Sequence, residues 1–288
     1  MDYFRGKTLK KRKNVKKNSK KEYRSDRKMI ENFNPVIFAG AGPGDPELIT
    51  VKGQKALMAA DLVVYAGSLV PKELLIWTKA SADVFDSAGM NLDEIVDIIV
   101  EAHKKDKKIV RLHTGDPSLY GAIHEQIAML KQHEIPCMVI PGVTAAFAAA
   151  ASMNMEYTLP EISQTLIFTR ISGRTKVPDL ESLELLASHK TSMAIYLSVS
   201  HTEKVKEILS KYYGENSLCA VAYKVSYPDE KIYYTKIKDL LLTVKENEIK
   251  RQALIIAGKA VASAKHGINS IKSQLYDSNF SHGFRSKK

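Results

Sequence analysis

"VIFAGAGPGDPELIT", residues 36–50, runs from an apolar strand into a glycine cluster, then Pro-Gly-Asp, then a helix-forming stretch. The outline is that of a nucleotide-binding turn, but the details disagree with one. A dinucleotide fingerprint needs G-x-G-x-x-G and an acid at the end of the next strand. Gly40 and Gly42 fit, the third fingerprint position is Asp45, and the next strand, "LVVYAGS", ends without an acid. Pro43 and Pro46 also remove two amide donors from any phosphate cradle. The glycines still require that backbone approaches something closely. Asp45 reads as the N-cap of the helix that follows.

Two further loops share this design. "LHTGDPSLYGAIHEQ", residues 112–126, again joins a strand to a helix through Gly-Asp-Pro, with Asp116 in the capping position. "VIPGVTAAFAAA", residues 139–150, passes through Pro-Gly to Thr144 and a small-residue helix. Each loop alone is explained by a turn and a cap. Three such loops at the carboxyl ends of strands in one half of the chain would line a single crevice, where open α/β sheets bind ligands. That conjunction is more specific than any one loop.

Outward from these loops, short apolar runs alternate with helical stretches from Pro35 to Met153. "DLVVYAG", "KIVRLHTG" and "PCMVIPG" read as strands, and "NLDEIVDIIVEAHKK" as an amphipathic helix with Leu92, Ile95, Val96 and Ile99 on one face. Alternation of this kind implies right-handed crossovers and a mostly parallel sheet with helices on both faces. Beyond Leu159, "QTLIFTRI", "TSMAIYLSV", "LCAVAYKVS", "KIYYTKI" and "QALIIAG" are strands, and the pair around "SYPDE" forms a hairpin, so the second sheet is expected to be mixed. The polar turn residues Asn154 to Glu161 set the expected boundary. The expected parts are therefore a basic tail at 1–34, domains at 35–153 and 154–264, and a C-terminal tail at 265–288.

The formal net charge of +11 suggests a nucleic-acid binder until it is located. Residues 1–30 hold 13 of the 43 Lys and Arg and 3 of the 32 Asp and Glu, which leaves 30 and 29 for the rest. The body is nearly neutral and lacks a basic stripe. The tail has too few apolar residues to offset the entropy of ordering and is expected to be disordered. It is either a polyanion-binding arm or a solvated extension. Cys137 and Cys219 lie in apolar runs, as reduced thiols of a cytoplasmic protein do. No Cys and His cluster has metal-ligand spacing, so no protein-bound metal is expected. "VTAAFAAAASM" is too short to cross a bilayer.

In order and wording, "GAGPGDPELIT", "TGDPSLYG" and "PGVTA" resemble the tetrapyrrole methylase family, the class III S-adenosylmethionine-dependent methyltransferases, from about Val36 to Gly258. "ISGRTKVP" (171–178), "AIYLS" and "VAYKVSYPDEKI" are similar to the branch that methylates precorrin-4, with or without cobalt, at ring carbon C-11 in cobalamin biosynthesis. The resemblance implies two αβα domains with the active site in the cleft between them, and a homodimer. S-adenosylmethionine is implied to be held largely by backbone, at Pro43, Thr114, Gly115, Asp116, Leu119, Thr144 and Ala145, with Leu197 and Val225 from the second domain. The "GAGPGD" loop, with Asp45, is implied to shape the substrate trough.

A substrate with acetate and propionate arms needs cations, preferably arginine forks. Arg170, Arg174, Arg111 and Lys176 flank predicted strand ends, and His113 and Tyr120 lie beside the second loop; each also has a reading as a surface cation or helix partner. No catalytic base is named. Another tetrapyrrole methylation step, on uroporphyrinogen III or a different precorrin, and methylation of ribosomal RNA on the same fold remain open alternatives. So does a non-enzymatic binding module whose tail holds a polyanion.

Overall fold

The computed structural model describes residues 34–173, 175–266, 280, 281 and 283. The expected tails at 1–34 and 265–288 therefore lie almost wholly outside the described residues, as does Arg174. The described chain forms two compact units, one of residues up to Gly42 and Pro46–Gly142, the other of Pro43–Asp45 and Val143 onward.

In the first unit β1 (Val36–Gly40), β2 (Leu62–Tyr65), β3 (Asp83–Asp86), β4 (Ile109–His113) and β5 (Cys137–Ile140) are ordered β3-β2-β4-β1-β5, all parallel. Central strands of such a sheet are covered on both faces and so read as continuous apolar runs. One face carries α2 (Leu92–His103) and α3 (Ile123–Gln132) over Val36, Phe38, Leu62 and Val64. The other carries α1 (Val51–Ala59) over Ala39, Val63, Val110 and Leu112. Neighbouring strands β1 and β4 thus send their chains to opposite faces, which makes the gap between them the topological switch point. Edge strand β3, "DVFD", was not foreseen: all four residues are exposed, so no apolar pattern marks it.

In the second unit β6 (Leu166–Arg170), β7 (Ser192–Tyr196), β8 (Leu218–Tyr223), β9 (Lys231–Lys236) and β10 (Ala253–Ala257) are ordered β6-β7-β10-β8-β9. Strands β6 and β7 are parallel, and the other pairs are antiparallel. The sheet is mixed as expected, and the last strand in sequence lies at its centre. Helix α4 (Ala145–Ser152) and α8 (Lys259–His266) cover one face; α5 (Leu183–Ala187), α6 (Thr202–Tyr213) and α7 (Leu240–Glu246) cover the other. Strands β6, β7 and β8 run the same way, so their carboxyl ends share one edge.

The units divide at Gly142–Val143, whereas the sequence reading put the boundary at 153–154. The reason is visible in α4: Ala146, Ala149 and Ala150 pack with Ala194, Ala220 and Ile256 of the second sheet. Small side chains let that helix lie close on the strands. Asn34 likewise belongs with the first unit, since its side-chain amide donates to the carbonyls of Asp106 (3.1 Å) and Lys107 (3.0 Å). Buried Cys219 and half-buried Cys137 are both free, and burial raises their thiols to about 12 and about 11. No described helix is long and apolar enough to cross a membrane.

Candidate functional site

The three glycine loops meet at their glycines. Gly42 and Gly115 exchange main-chain hydrogen bonds, Gly115 N–H to Gly42 at 2.8 Å and the return bond at 3.3 Å. A Cβ on Gly40 would stand 2.6 Å from the Gly115 carbonyl oxygen and 2.6 Å from Gly142 Cα. One on Gly142 would stand 2.1 Å from that same oxygen and 2.8 Å from Gly40 Cα. The close approach the sequence demanded is thus of backbone to backbone, at the switch point of the first sheet. Gly42 and Gly115 also hold φ of +79° and +59°, which glycine adopts without steric cost.

Asp116 is not the helix cap expected of it. Helix α3 starts at Ile123 after Ala122, itself left-handed at φ +50°. The Asp116 carboxylate instead accepts from Ser118 N–H (2.8 Å) and from Gly142 N–H (2.9 Å), tying the loop after β4 to the loop after β5. Asp45 is not the cap of α1: Thr50 caps that helix by accepting from Gly53 N–H at 3.1 Å. Asp45 stands with the second unit, where its N–H donates to Ser226 Oγ at 2.9 Å. Gly44 is packed so closely that a Cβ would come within 2.4 Å of the Tyr227 ring.

His113, at the end of β4, is 5 % exposed, with its ring 5.8 Å from Phe38 and nearly parallel to it. Its Nε2 is buried without a protein hydrogen-bond partner. Burial, with the Arg111 charge adding to it, pushes the imidazole down to about 3, so the ring is neutral at any ordinary pH. Arg111 is buried and donates to Gln126 Oε1 (3.0 Å) and the Val64 carbonyl (3.3 Å), which makes it a core cation. Leu119 closes the Asp116 turn through its N–H, at 3.1 Å. Tyr120 follows at φ +56° with its ring exposed.

In the second unit, Thr144 sits in the N-cap position of α4, but its side chain does not cap. Its Oγ1 lies 2.7 Å from the Tyr196 hydroxyl, which also accepts from Ala146 N–H at 3.1 Å. Leu197 then turns to φ +51° with its side chain 65 % exposed, an unusual conformation for a branched residue. Buried Ser198 holds the turn, donating to the Tyr196 carbonyl (2.6 Å) and accepting from Ile171 N–H (2.9 Å). Val225 points into the core between two left-handed residues, Lys224 at φ +46° and Ser226 at φ +65°. Arg170 is not a free fork. Its guanidinium donates to the carbonyls of Thr175 (3.0 Å), Lys176 (3.0 Å) and Ile171 (3.4 Å), holding its own loop.

The structure therefore gathers Thr114, Gly115, Asp116, Leu119 and His113 at the carboxyl edge of the first sheet. It gathers Pro43, Asp45, Thr144, Ala145, Arg170, Leu197 and Val225 with the second. Tyr196, Ser198 and Ser226 were missed, because their partners lie far away in sequence. Among the described residues, no three His, Cys, Asp or Glu side chains stand close enough to hold a metal.

The model of the tetrapyrrole (corrin/porphyrin) methylases matches residues 35–241. The cobalt-precorrin-4 C(11)-methyltransferase of Methanocaldococcus jannaschii is 50 % identical over 257 residues, covering 89 % of this chain and 98 % of that protein. The precorrin-4 C(11)-methyltransferase of Pseudomonas aeruginosa is 46 % identical over 228 residues, 79 % of this chain and 91 % of that one. Among solved structures, a cobalt precorrin-4 methyltransferase of cobalamin biosynthesis superposes with a TM-score of 0.78 at 45 % identity, covering 80 % of this chain and 97 % of that one. The chain belongs to the tetrapyrrole methylases.

Proposed function

We propose that the protein transfers the methyl group of S-adenosylmethionine to ring carbon C-11 of precorrin-4, in its cobalt-bearing or metal-free form, as a step of cobalamin biosynthesis. The observation that carries this reading is the 50 % identity that spans nearly the full length of a relative with that activity. The loop chemistry agrees with it. The Asp116 side chain is spent on the Ser118 and Gly142 amides and the Thr144 hydroxyl on Tyr196, which leaves their main-chain groups to meet a ligand. The glycine junction and the turned-out Leu197 suit a ligand held by backbone.

A sulfonium methyl is already electrophilic, and an electron-rich ring carbon attacks it in line as the neutral thioether departs. The residues of this chain align the partners and exclude water; alignment alone supplies about 7–11 kcal/mol of barrier reduction. The donor is assigned to Thr114, Gly115, Asp116 and Leu119 from the first unit, and to Pro43, Thr144, Ala145, Leu197 and Val225 from the second. The tetrapyrrole is assigned to the loops carrying Asp45, His113, Arg170 and Arg174. The buried, neutral imidazole of His113 brings no charge to its loop, and Arg170 shapes its own loop through bonds to the loop's carbonyls. The protein is proposed to work as a homodimer in the cytoplasm.

The test is to incubate the protein with precorrin-4 or cobalt-precorrin-4 and methyl-labelled S-adenosylmethionine, then locate the label by NMR. Label at C-11 is expected. Label at another ring carbon would overturn the site of methylation, and no transfer to either substrate would overturn the activity.

A further inference from the structure

Helix α4 reads "AAFAAAAS" and brings no side chain of its own that can satisfy its first amides. Four N–H groups at a helix start need outside partners. The partner here comes from the end of β7: the Tyr196 hydroxyl accepts from Ala146 N–H at 3.1 Å and is hydrogen-bonded to Thr144 Oγ1 at 2.7 Å. A hydroxyl carries one hydrogen and two lone pairs, so both contacts are met at once. The Tyr196 ring is steadied edge-on by Phe168 (5.8 Å, 74°), which meets Phe147 in the same way (5.7 Å, 61°). Its main chain is steadied by Ser198. One residue thus fixes two stretches that both carry donor-binding candidates, Thr144–Ala145 at the helix start and Leu197 at the strand end.

We infer that Tyr196 is a positioning residue for the methyl donor, its hydroxyl setting the Thr144–Ala145 turn against the Leu197 turn. The inference rests on the methyltransferase reading above. A second tyrosine supplies an internal control. Tyr157 donates its hydroxyl to the carbonyl of the same Ala146 at 2.9 Å and is buried. Tyr196 and Tyr157 therefore hold the two main-chain groups of one residue, but only Tyr196 reaches the Thr144 and Leu197 turns.

The experiment is calorimetric titration of S-adenosylhomocysteine into the wild type, Tyr196→Phe, Tyr157→Phe, Thr144→Val and the Tyr196→Phe/Thr144→Val double variant, with thermal melts of each. Phenylalanine keeps the ring and its contact with Phe168. Tyr196→Phe is expected to weaken binding about 3- to 10-fold, the worth of one lost hydrogen bond. Thr144→Val is expected to weaken it in the same direction, with the double variant falling short of the sum. Tyr157→Phe is expected to lower the melting temperature while leaving affinity within about twofold, since the bond it loses lies away from the turn. In turnover, Tyr196→Phe should raise the KM for the donor and spare that for the tetrapyrrole. Unchanged affinity in Tyr196→Phe, or an equal loss in Tyr157→Phe, would overturn the inference. If Tyr196→Phe does not fold, Thr144→Val alone decides it, and unchanged affinity there overturns it. Absence of binding by the wild type would instead overturn the methyl-donor reading and this inference with it.

Discussion

Gly142 shows how little room the loops leave. An added Cβ would stand 2.1 Å from the Gly115 carbonyl, a backbone atom that cannot rotate away. Gly142→Ala should therefore cost about 1–3 kcal/mol in urea unfolding, as overpacking does. Gly89 has nothing within 4 Å, so Gly89→Ala should stay within about 0.5 kcal/mol of the wild type. Equal costs for the two would refute the glycine junction. His113 gives a pH-dependent counterpart. In the native chain its imidazole stays neutral down to about 3, whereas in the unfolded chain it takes a proton near 6.5. A depressed native value means stability is full above 6.5 and drains away as pH falls below it. Between pH 7 and 5 the wild type should lose about 2 kcal/mol more than His113→Gln, whose side chain does not titrate. Parallel pH profiles for the two proteins would show that the ring is charged in the native state.

Loops and strands divide by how local their causes are. Strands β1, β2 and β4 were readable because central parallel strands are apolar runs whatever surrounds them, and edge strand β5 was readable as the apolar run of "PCMVIPG" between two prolines. Strand β3 was not, since an exposed edge needs no apolar residues. Asp116 looked like a cap and misled because a carboxylate before a helix has other suitors, here the Ser118 and Gly142 amides, while the cap of α1 expected at Asp45 falls to Thr50. The motif loops of the candidate site were legible, but Tyr196 was not, because its partner Thr144 is 52 positions away. Arg170 was expected as a substrate fork, and its guanidinium bonds the carbonyls of its own loop. As a fork for a substrate carboxylate, it would be partly replaced by lysine, which keeps the charge; as a staple on the carbonyls of residues 171–176, it would not, because lysine lacks the planar fork. Arg170→Lys and Arg170→Ala are therefore expected to raise the tetrapyrrole KM alike, and to speed amide exchange in residues 171–177. Near wild-type kinetics in the lysine variant would restore the direct-contact reading.

Across the whole molecule, the net charge and the family match are carried by different segments. Residues 1–30 hold nearly all of the +11, while the family match begins only at residue 35. Asn34 is already part of the folded unit through its bonds to the carbonyls of Asp106 and Lys107. Truncation should accordingly remove residues 1–33 and stop there. The shortened protein is expected to keep kcat and S-adenosylhomocysteine affinity within about twofold, because the residues proposed to align donor and acceptor all lie beyond the cut. Any binding to nucleic acid or anionic surfaces should disappear with the tail, and in the full chain it should fall steeply with salt, as counterion release requires. A polyanionic tetrapyrrole adds one further consequence. If the tail raises its encounter rate, truncation lowers kcat/KM at low ionic strength and the deficit closes as salt screens the charge over about 10 Å at 0.1 M. Measuring kcat/KM for both proteins across a salt series separates the cases. A deficit that persists at every salt concentration would mean that the tail lysines belong to the substrate site, and that the catalytic unit starts well before Asn34.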